Sequence, residues 1–425
     1  RVEQAGPKAL VEALTLRARD AREVDPSAVA AIPGAVGLDD EVALAPTRDF
    51  AAPILGRAGP ATAEIIEESD GTVREGDVVG LSGLQARYED LLGGTPGVVV
   101  VATRGEQERT LLATAEVDGE PLRTTLDPGL QRAAEAQLDD VGPASAVVVL
   151  RPSTGEILAA ASGPGSEGYS TATIGQYPPG STTKVVTALA LMRAGVQPSD
   201  LLPCTARVVV DGKPFTNYDD YPPSRLGDIP LESAVANSCN TALVSQYEKL
   251  TGDDLAQAAA ALGLGVDHDV GFPAYFGEVP APTSTTEQAA SLIGQGSVLA
   301  SPLAMAAVAG SVAQGHAIVP RLLPGQPEPE TAADQPLTEQ EADALQDMMR
   351  AVVTEGTATF LSDVPGPPVG AKTGTAEFGT GTPLQTHAWM IAHQGDLAVA
   401  VFVEVGQSGS QTAGPILEEV LRAAR

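Results

Sequence analysis

The sequence predicts an α/β (α+β) sheet domain covered by helices, preceded by a smaller N-terminal domain. Three observations carry this prediction. The chain has 425 residues, more than one ordinary domain needs and enough to bury a large core. Its texture changes near residue 124, which divides it into 1–123 and 124–425. Beyond that point β-branched runs and long helical segments mix, the pattern of a sheet with helices packed on it.

The elements follow in order. Within 1–40 the spacing of apolar residues from Ala9 to Leu16 is helical, and Asp25-Pro26 and Pro33-Gly34 break it. The Pro/Gly-rich stretch 45–60 reads as loop. Residues 81–92, with Leu84, Tyr88, Leu91 and Leu92, read as one helix, and the valine run 97–101 as a strand. Asp127 and Pro128 suit the N-cap and first position of a helix over 129–138. Apolar runs at 146–150 and 156–161, joined by Pro152-Ser153-Thr154-Gly155, predict a hairpin that starts a new sheet. A helix is expected to start at Ser181 and another to span 231–250. The acidic, Pro-rich segment 324–336 reads as surface loop, and Thr338-Glu339-Gln340-Glu341 is a capping box opening a helix to about Val353. Strand-like runs at 369–378, 386–393 and 398–405 precede a last amphipathic helix at 413–423, and no internal repeat is found.

Composition narrows the function. Fifty-five acidic against 25 basic residues give a net charge of −30. Such a surface repels phosphate backbones, and no basic stripe offsets it, so nucleic acid is not an expected partner. Lysine occurs only at positions 8, 184, 213, 249 and 372, against twenty arginines. With abundant Ala, Gly and Pro, that bias points to a high-GC coding sequence. The two cysteines, Cys204 and Cys239, suit a single disulfide in an oxidising compartment, or else two buried thiols. The uncharged stretch 288–320 is too polar and broken for a lipid-spanning helix and reads as buried core helix. No signal or anchor is visible from Arg1 onward, so any anchor is expected upstream.

Chemistry is concentrated in three short patterns. In Tyr177-Pro178-Pro179-Gly180-Ser181-Thr182-Thr183-Lys184 a loop ends where an Ala/Leu-rich helix begins. Three residues along a helix put Ser181 and Lys184 on one face. A serine hydroxyl needs a base to become a nucleophile, and a lysine can be that base if burial and the positive helix end depress its pKa. By itself the pattern equally describes a capping serine beside a surface lysine. Ser238-Cys239-Asn240 offers a hydroxyl and an amide that could relay a proton and hold a substrate amide, or form a buried polar patch. Lys372-Thr373-Gly374, continuing as Thr375-Ala376-Glu377, places glycine inside a strand, a mark of close approach by a ligand or backbone. Lysine and threonine there suit a carboxylate beside the strand edge, and an ordinary exposed strand with a bulge is the plainer reading.

Together, and in this order, the three patterns form the signature shared by penicillin-binding proteins and class A β-lactamases. Residues from about 124 to 425 resemble the penicillin-binding transpeptidase domain. Gly294-Gln295-Gly296 and Ser301-Pro302-Leu303-Ala304-Met305 are similar to the family's GQG…SPLQMA segment, with Ala304 where Gln is usual. Thr375-Ala376-Glu377 and Trp389 resemble class B members. Leu81-Ser82-Gly83-Leu84-Gln85, Tyr88 and Leu92-Gly93-Gly94 resemble the pedestal that precedes class B transpeptidase domains. The resemblance, to actinobacterial class B proteins in particular, implies a penicillin-binding transpeptidase / serine β-lactamase-like fold: an antiparallel central sheet with helices on both faces. It implies a pedestal (dimerisation-like) domain over 1–123 and leaves no room there for a glycosyltransferase domain.

The implied activity is peptidoglycan D,D-transpeptidation through a serine acyl-enzyme, inhibited by β-lactams. Ser181 is then the nucleophile, Lys184 its base, Ser238 with Lys372 the proton path to the leaving amine, and Asn240 the holder of the donor amide and of Lys184. Lys372, Thr373, Gly374 and Thr375 would bind the terminal carboxylate, and the Ser181 and Thr375 backbone N–H groups would form the oxyanion hole. The resemblance implies no cofactor and no metal, lipid II-derived stem peptides as substrate, and a membrane glycosyltransferase of wall synthesis as partner. It implies a place on the extracytoplasmic face of the membrane. The histidines His268, His387 and His393 read as structural or surface residues. A D,D-carboxypeptidase or β-lactamase on the same fold is the main alternative, although neither Glu278 nor Glu287 sits in the context of a water-activating base. A non-enzymatic β-lactam sensor or scaffold is the second alternative.

Overall fold

The computed structural model describes residues 45–47, 49–95, 97–104, 107–325, 333–381 and 383–424. The helix expected within 1–40 and much of the 324–336 loop lie outside them. Residues 49–425 group as one compact unit.

The strands, in chain order, are β1 (Ala58–Pro60), β2 (Val78–Gly80), β3 (Val99–Arg104), β4 (Gln107–Ala113), β5 (Ser145–Arg151), β6 (Glu156–Ser162), β7 (Leu201–Cys204), β8 (Arg207–Val210), β9 (Lys213–Thr216), β10 (Gly227–Pro230), β11 (Val369–Phe378), β12 (Gln385–Gln394) and β13 (Ala398–Val403). Five of them build the central sheet in the order β11-β12-β13-β5-β6, antiparallel throughout. β1–β2, β3–β4, β7–β10 and β8–β9 form separate two-stranded pairs.

Both faces of the central sheet are buried, and the period-two alternation of a strand sorts its residues between two cores. Ala146, Val148 and Leu150 share one core with Trp389, Ile391, Ala400 and Phe402. Val147 and Val149 share the other with Met390, Val399 and Val401. That is why β5 reads as an uninterrupted apolar run. On the first face the helix Pro302–Gln314 is buried along nearly its whole length, with Ser301 accepting from Ala304 N at its start and Gly315 in the left-handed region at its end. This helix accounts for the uncharged stretch 288–320, and no described helix is long and apolar enough to cross a membrane. On the second face lie Pro128–Leu138, capped by Asp127, and Gly414–Ala423. The capping box at Thr338 is present and opens Glu339–Thr354.

Three expected helices differ from their sequence reading. Residues 81–92 form two short helices, Gly83–Arg87 and Glu89–Leu92, divided at Tyr88. The segment from Ser181 begins as a tight 3-10 turn, Gly180–Thr183, and becomes α-helical only at Lys184–Arg193. The stretch 231–250 is broken into Leu231–Ala236, Asn240–Val244 and the short turn Tyr247–Lys249. Ser238, at φ 57°, turns the chain between the first two pieces.

Candidate active site

β11 is an edge strand, and the nucleophile loop packs directly against it. Trp389, on the neighbouring β12, donates its indole N–H to Pro178 O at 2.9 Å and ties the loop to the sheet. Two contacts leave no space for a side chain. A Cβ on Gly180, itself at φ 54°, would fall 2.4 Å from Thr375 O; one on Gly294, at φ 67°, would fall 2.1 Å from Gly180 O. Gly180 N also donates to Gly294 O at 3.0 Å. The Gly294-Gln295-Gly296 segment thus backs the nucleophile loop, and the Thr375 backbone lies beside the residue preceding Ser181.

The 3-10 turn places Ser181 and Lys184 more nearly in register than an α-helix would, because residues three apart eclipse at three per turn. Ser181 is half-buried, whereas Lys184 is fully buried. Lys184 Nζ meets Ser238 O at 2.7 Å, Asn240 Oδ1 at 2.7 Å and Ser238 Oγ at 3.0 Å. Burial, and then the charge of Lys372, hold its ammonium well below the usual 10.5. A neutral amine has two hydrogens and one lone pair. The Ser238 and Asn240 carbonyls take the two hydrogens, which leaves the lone pair facing the Ser238 hydroxyl.

Lys372 is also fully buried, and burial lowers its pKa to about 7. Its Nζ donates to Thr373 O at 2.8 Å and meets Ser238 Oγ at 3.0 Å. One hydroxyl therefore joins two buried lysines, a connected path for a proton. Thr373 pairs its hydroxyl with that of Thr357 at 2.7 Å. Thr375 Oγ1 accepts from Gly409 N at 3.4 Å. Cys204 and Cys239 form a disulfide with Cα atoms 6.2 Å apart, which anchors the residue between Ser238 and Asn240.

The structure brings together Ser181, Lys184, Ser238, Asn240, Lys372, Thr373, Gly374 and Thr375. It also brings in Thr216, Asn217, Gly294 and Thr357, to which the sequence reading gave no role at this site. Thr216 ends β9 and Asn217 follows it in a loop that carries no motif, and only the glycines carried a readable sign, the freedom of backbone that close approach requires. The remaining candidates stand apart. His387 meets Glu404 O at 2.6 Å and stacks on Phe378, and burial lowers His393 to about 4. Among the described residues no group of His, Cys, Asp and Glu could hold a metal ion. Glu287 is committed to hydroxyls of Ser297 and Thr283 and to Thr283 N, which hold its carboxyl down to about 2.

Two family descriptions match the chain: the penicillin binding protein transpeptidase domain over residues 145–422, and the penicillin-binding protein dimerisation domain over 30–124. A curated relative, the peptidoglycan D,D-transpeptidase PbpA of Mycolicibacterium smegmatis, is 33% identical over 71% of this chain and 72% of its own length. Among solved structures, a chain of a peptidoglycan synthase complex that coordinates polymerization and crosslinking is similar at 29% identity and TM-score 0.75, covering 88% of this chain and 74% of that one. The ceftriaxone acyl-enzyme of penicillin-binding protein A from Mycobacterium tuberculosis is similar at 28% identity and TM-score 0.65, covering 72% and 80%.

Proposed function

The chain belongs to the penicillin-binding protein transpeptidase family, and from that premise we propose how its residues carry the family's reaction. Its activity is peptidoglycan D,D-transpeptidation through a serine acyl-enzyme, and it is of the class B type. Ser181 Oγ attacks the carbonyl of the penultimate D-Ala as Lys184 Nζ takes its proton. A C–O bond forms, the C–N bond to the terminal D-Ala breaks, and the leaving amine receives a proton through Ser238, replenished from Lys372. An acceptor amine on a second stem peptide then attacks the ester, its proton returns along the same path, and Ser181 is released.

The observation that carries this assignment is the environment of Lys184. A fully buried amine, hydrogen-bonded by two carbonyl oxygens and depressed by burial and a second lysine, is ready to act as a base. Asn240 orients that amine and offers its amide to the donor peptide. Lys372 and the Thr373 and Thr375 hydroxyls receive the terminal carboxylate, where Gly374 keeps the strand close to the nucleophile loop: a Cβ there would fall 2.8 Å from Thr182 Cγ2. The N–H groups of Ser181 and Thr375 hold the oxyanion, a role supported by the contact of the Thr375 backbone on Gly180.

Against hydrolysis, the Glu287 carboxylate accepts from Thr283 N, Thr283 Oγ1 and Ser297 Oγ, bonds that lower its pKa to about 2 and make it a poor base for activating water. We assign 1–123 as the pedestal and 124–425 as the transpeptidase domain, and the disulfide and wall substrate support an extracytoplasmic location. Likeness to a subunit of a polymerising and crosslinking complex supports a membrane glycosyltransferase as working partner. The test is labelling by fluorescent penicillin. The wild type should hold one persistent label, Ser181→Ala should fold and take none, and nitrocefin turnover should be slow; a labelled Ser181→Ala would assign the nucleophile elsewhere.

A further inference from the structure

Asn240 can orient Lys184 only if its own amide is fixed, and what fixes it lies on a segment that carries no motif. Asn240 Nδ2 donates to Thr216 O at 2.9 Å. The next residue, Asn217, accepts at Oδ1 from the backbone N–H of Asn240 at 2.8 Å and of Thr241 at 3.1 Å, and donates Nδ2 to Thr205 O at 3.0 Å.

These bonds meet a local need. A helix start leaves backbone N–H groups without intrahelical acceptors, and the residue before the helix commonly supplies a side-chain oxygen. Before Asn240–Val244 that residue is Cys239, whose sulfur is in the disulfide and which makes no capping bond. Asn217 supplies the missing oxygen from outside the helix. The preceding Ser238 is in the left-handed region at φ 57°, a conformation that costs a non-glycine residue about 1 kcal/mol and persists only where its surroundings over-determine it. Here Cys239 is pinned by the disulfide, Asn240 by Thr216 and Asn217, and Thr241 by its hydroxyl, which donates to Thr205 O at 2.7 Å and accepts from Thr205 N at 3.0 Å.

We propose that Asn217 is a positioning residue for acylation. By capping the helix that begins at Asn240, it holds the Asn240 carbonyl, and through it the Lys184 amine, in the geometry that removes the Ser181 proton. It acts through Asn240 and touches no substrate. The proposal rests on the assignment of Ser181 as nucleophile and Lys184 as base.

The experiment follows acylation by a fluorescent penicillin across pH for the wild type, Asn217→Ala and Asn217→Asp. Aspartate keeps an oxygen for the two N–H groups, and alanine keeps none. Asn217→Ala should acylate about a hundredfold more slowly, the scale of an ångström-sized misplacement. Its non-covalent Kd should weaken only a few-fold, through the Asn240 amide offered to the donor, while the larger loss falls on the chemical step that uses the base. The rising limb of its pH profile should move to higher pH, since a loosened turn admits water to Lys184 and relieves the burial that lowers its pKa. Asn217→Asp should recover most of the loss, to within about tenfold of wild type, because it keeps the oxygen that caps the two N–H groups and gives up only the amide donated to Thr205 O. Wild-type rate and pH profile in Asn217→Ala would overturn the proposal, as would a loss in Asn217→Asp equal to that in Asn217→Ala. If Asn217→Ala fails to fold by circular dichroism, Asn217→Asp decides alone: acylation within about tenfold of wild type supports the cap, and a loss of about a hundredfold overturns it. A wild type that takes no label would instead sink the nucleophile assignment itself.

Discussion

Ser238 Oγ lies 3.0 Å from both Lys184 Nζ and Lys372 Nζ, and among the described residues no carboxylate bonds either amine. The pair therefore titrates low, and two pH effects follow. As pH rises through about 7, Lys372 loses the charge that would receive a carboxylate. Non-covalent binding of penicillin should weaken above that pH, measured as Kd by stopped flow between pH 5.5 and 9. Lys372→Met should remove this limb and weaken binding about tenfold or more; a flat wild-type profile would count against the role of Lys372. The second effect is on stability. Unfolded, Lys372 titrates near 10.5; folded, near 7. Between those values the unfolded chain binds the extra proton, so stability should rise with pH from about 7 toward 10.5, and below 7 the full cost of a buried charge remains. Lys372→Met should flatten that rise and lift Tm at pH 6 above wild type; a lowered Tm with an unchanged slope would contradict the assignment. At this scale Ser181, Lys184, Ser238, Asn240 and Lys372 were legible because their types and order are distinctive. Asn217 and Thr357 were not, because nothing local distinguishes an asparagine after a strand or a threonine after a helix until the fold supplies its partner.

The five strands of the central sheet and its long covering helices could be read from apolar runs, periodicity and caps. β1, β2, β4 and β7–β10 could not, and 45–60, read as loop, holds the helix Ala52–Leu55 and β1. Nor could the stretch 231–250 be read as it folds. Its apolar residues Leu231, Ala234, Val235, Ala242, Leu243 and Val244 are all buried on both sides of the break, so the helical rhythm continues through a turn that tertiary contacts impose. The left-handed Ser238 is stabilised by the disulfide and by Asn217, neither of which local propensity registers. In the same way the 3-10 start at Gly180 is fixed by β11 and by Gly294 rather than by its own sequence. This makes Gly294 a sensitive position: its Cβ would meet backbone at 2.1 Å and its φ is 67°. Gly294→Ala should cost more than about 1 kcal/mol of stability and slow acylation by displacing Ser181. Thermal melts and labelling rates check this, and a variant indistinguishable from wild type in both would show that the glycine segment does not support the nucleophile loop. Breaking the cross-link by Cys204→Ser should cost about 2–4 kcal/mol on the same melts, as expected for cysteines 35 residues apart.

Across the whole molecule, a sheet covered by helices was foreseeable from the mix of apolar runs and helical segments, helices on both faces from the family resemblance, and a change of texture near residue 124 from composition. The extent to which the N-terminal segments join the main core was not. Ile54 and Leu84 belong to the same apolar cluster as Leu189 and Phe402. Tyr88 OH donates to Gly271 O at 2.9 Å, Arg87 pairs with Asp269 at 3.1 Å, and Ala51 N donates to Glu135 at 2.7 Å. These contacts span long sequence separations that no motif announces. Leu84→Ala should therefore destabilise the transpeptidase part as well, by about 2–4 kcal/mol, seen as a lower denaturation midpoint for penicillin labelling. An unshifted midpoint would mean that the two parts unfold independently.

The central claim is that Ser181 forms a lasting acyl-enzyme. Intact mass of the chain after incubation with penicillin, followed by peptide mapping, tests it most directly. A single adduct of the intact drug's mass per chain is expected, persisting over the time of the measurement and located on the peptide that contains Ser181. No adduct together with rapid loss of the drug, or an adduct on a peptide without Ser181, would contradict it.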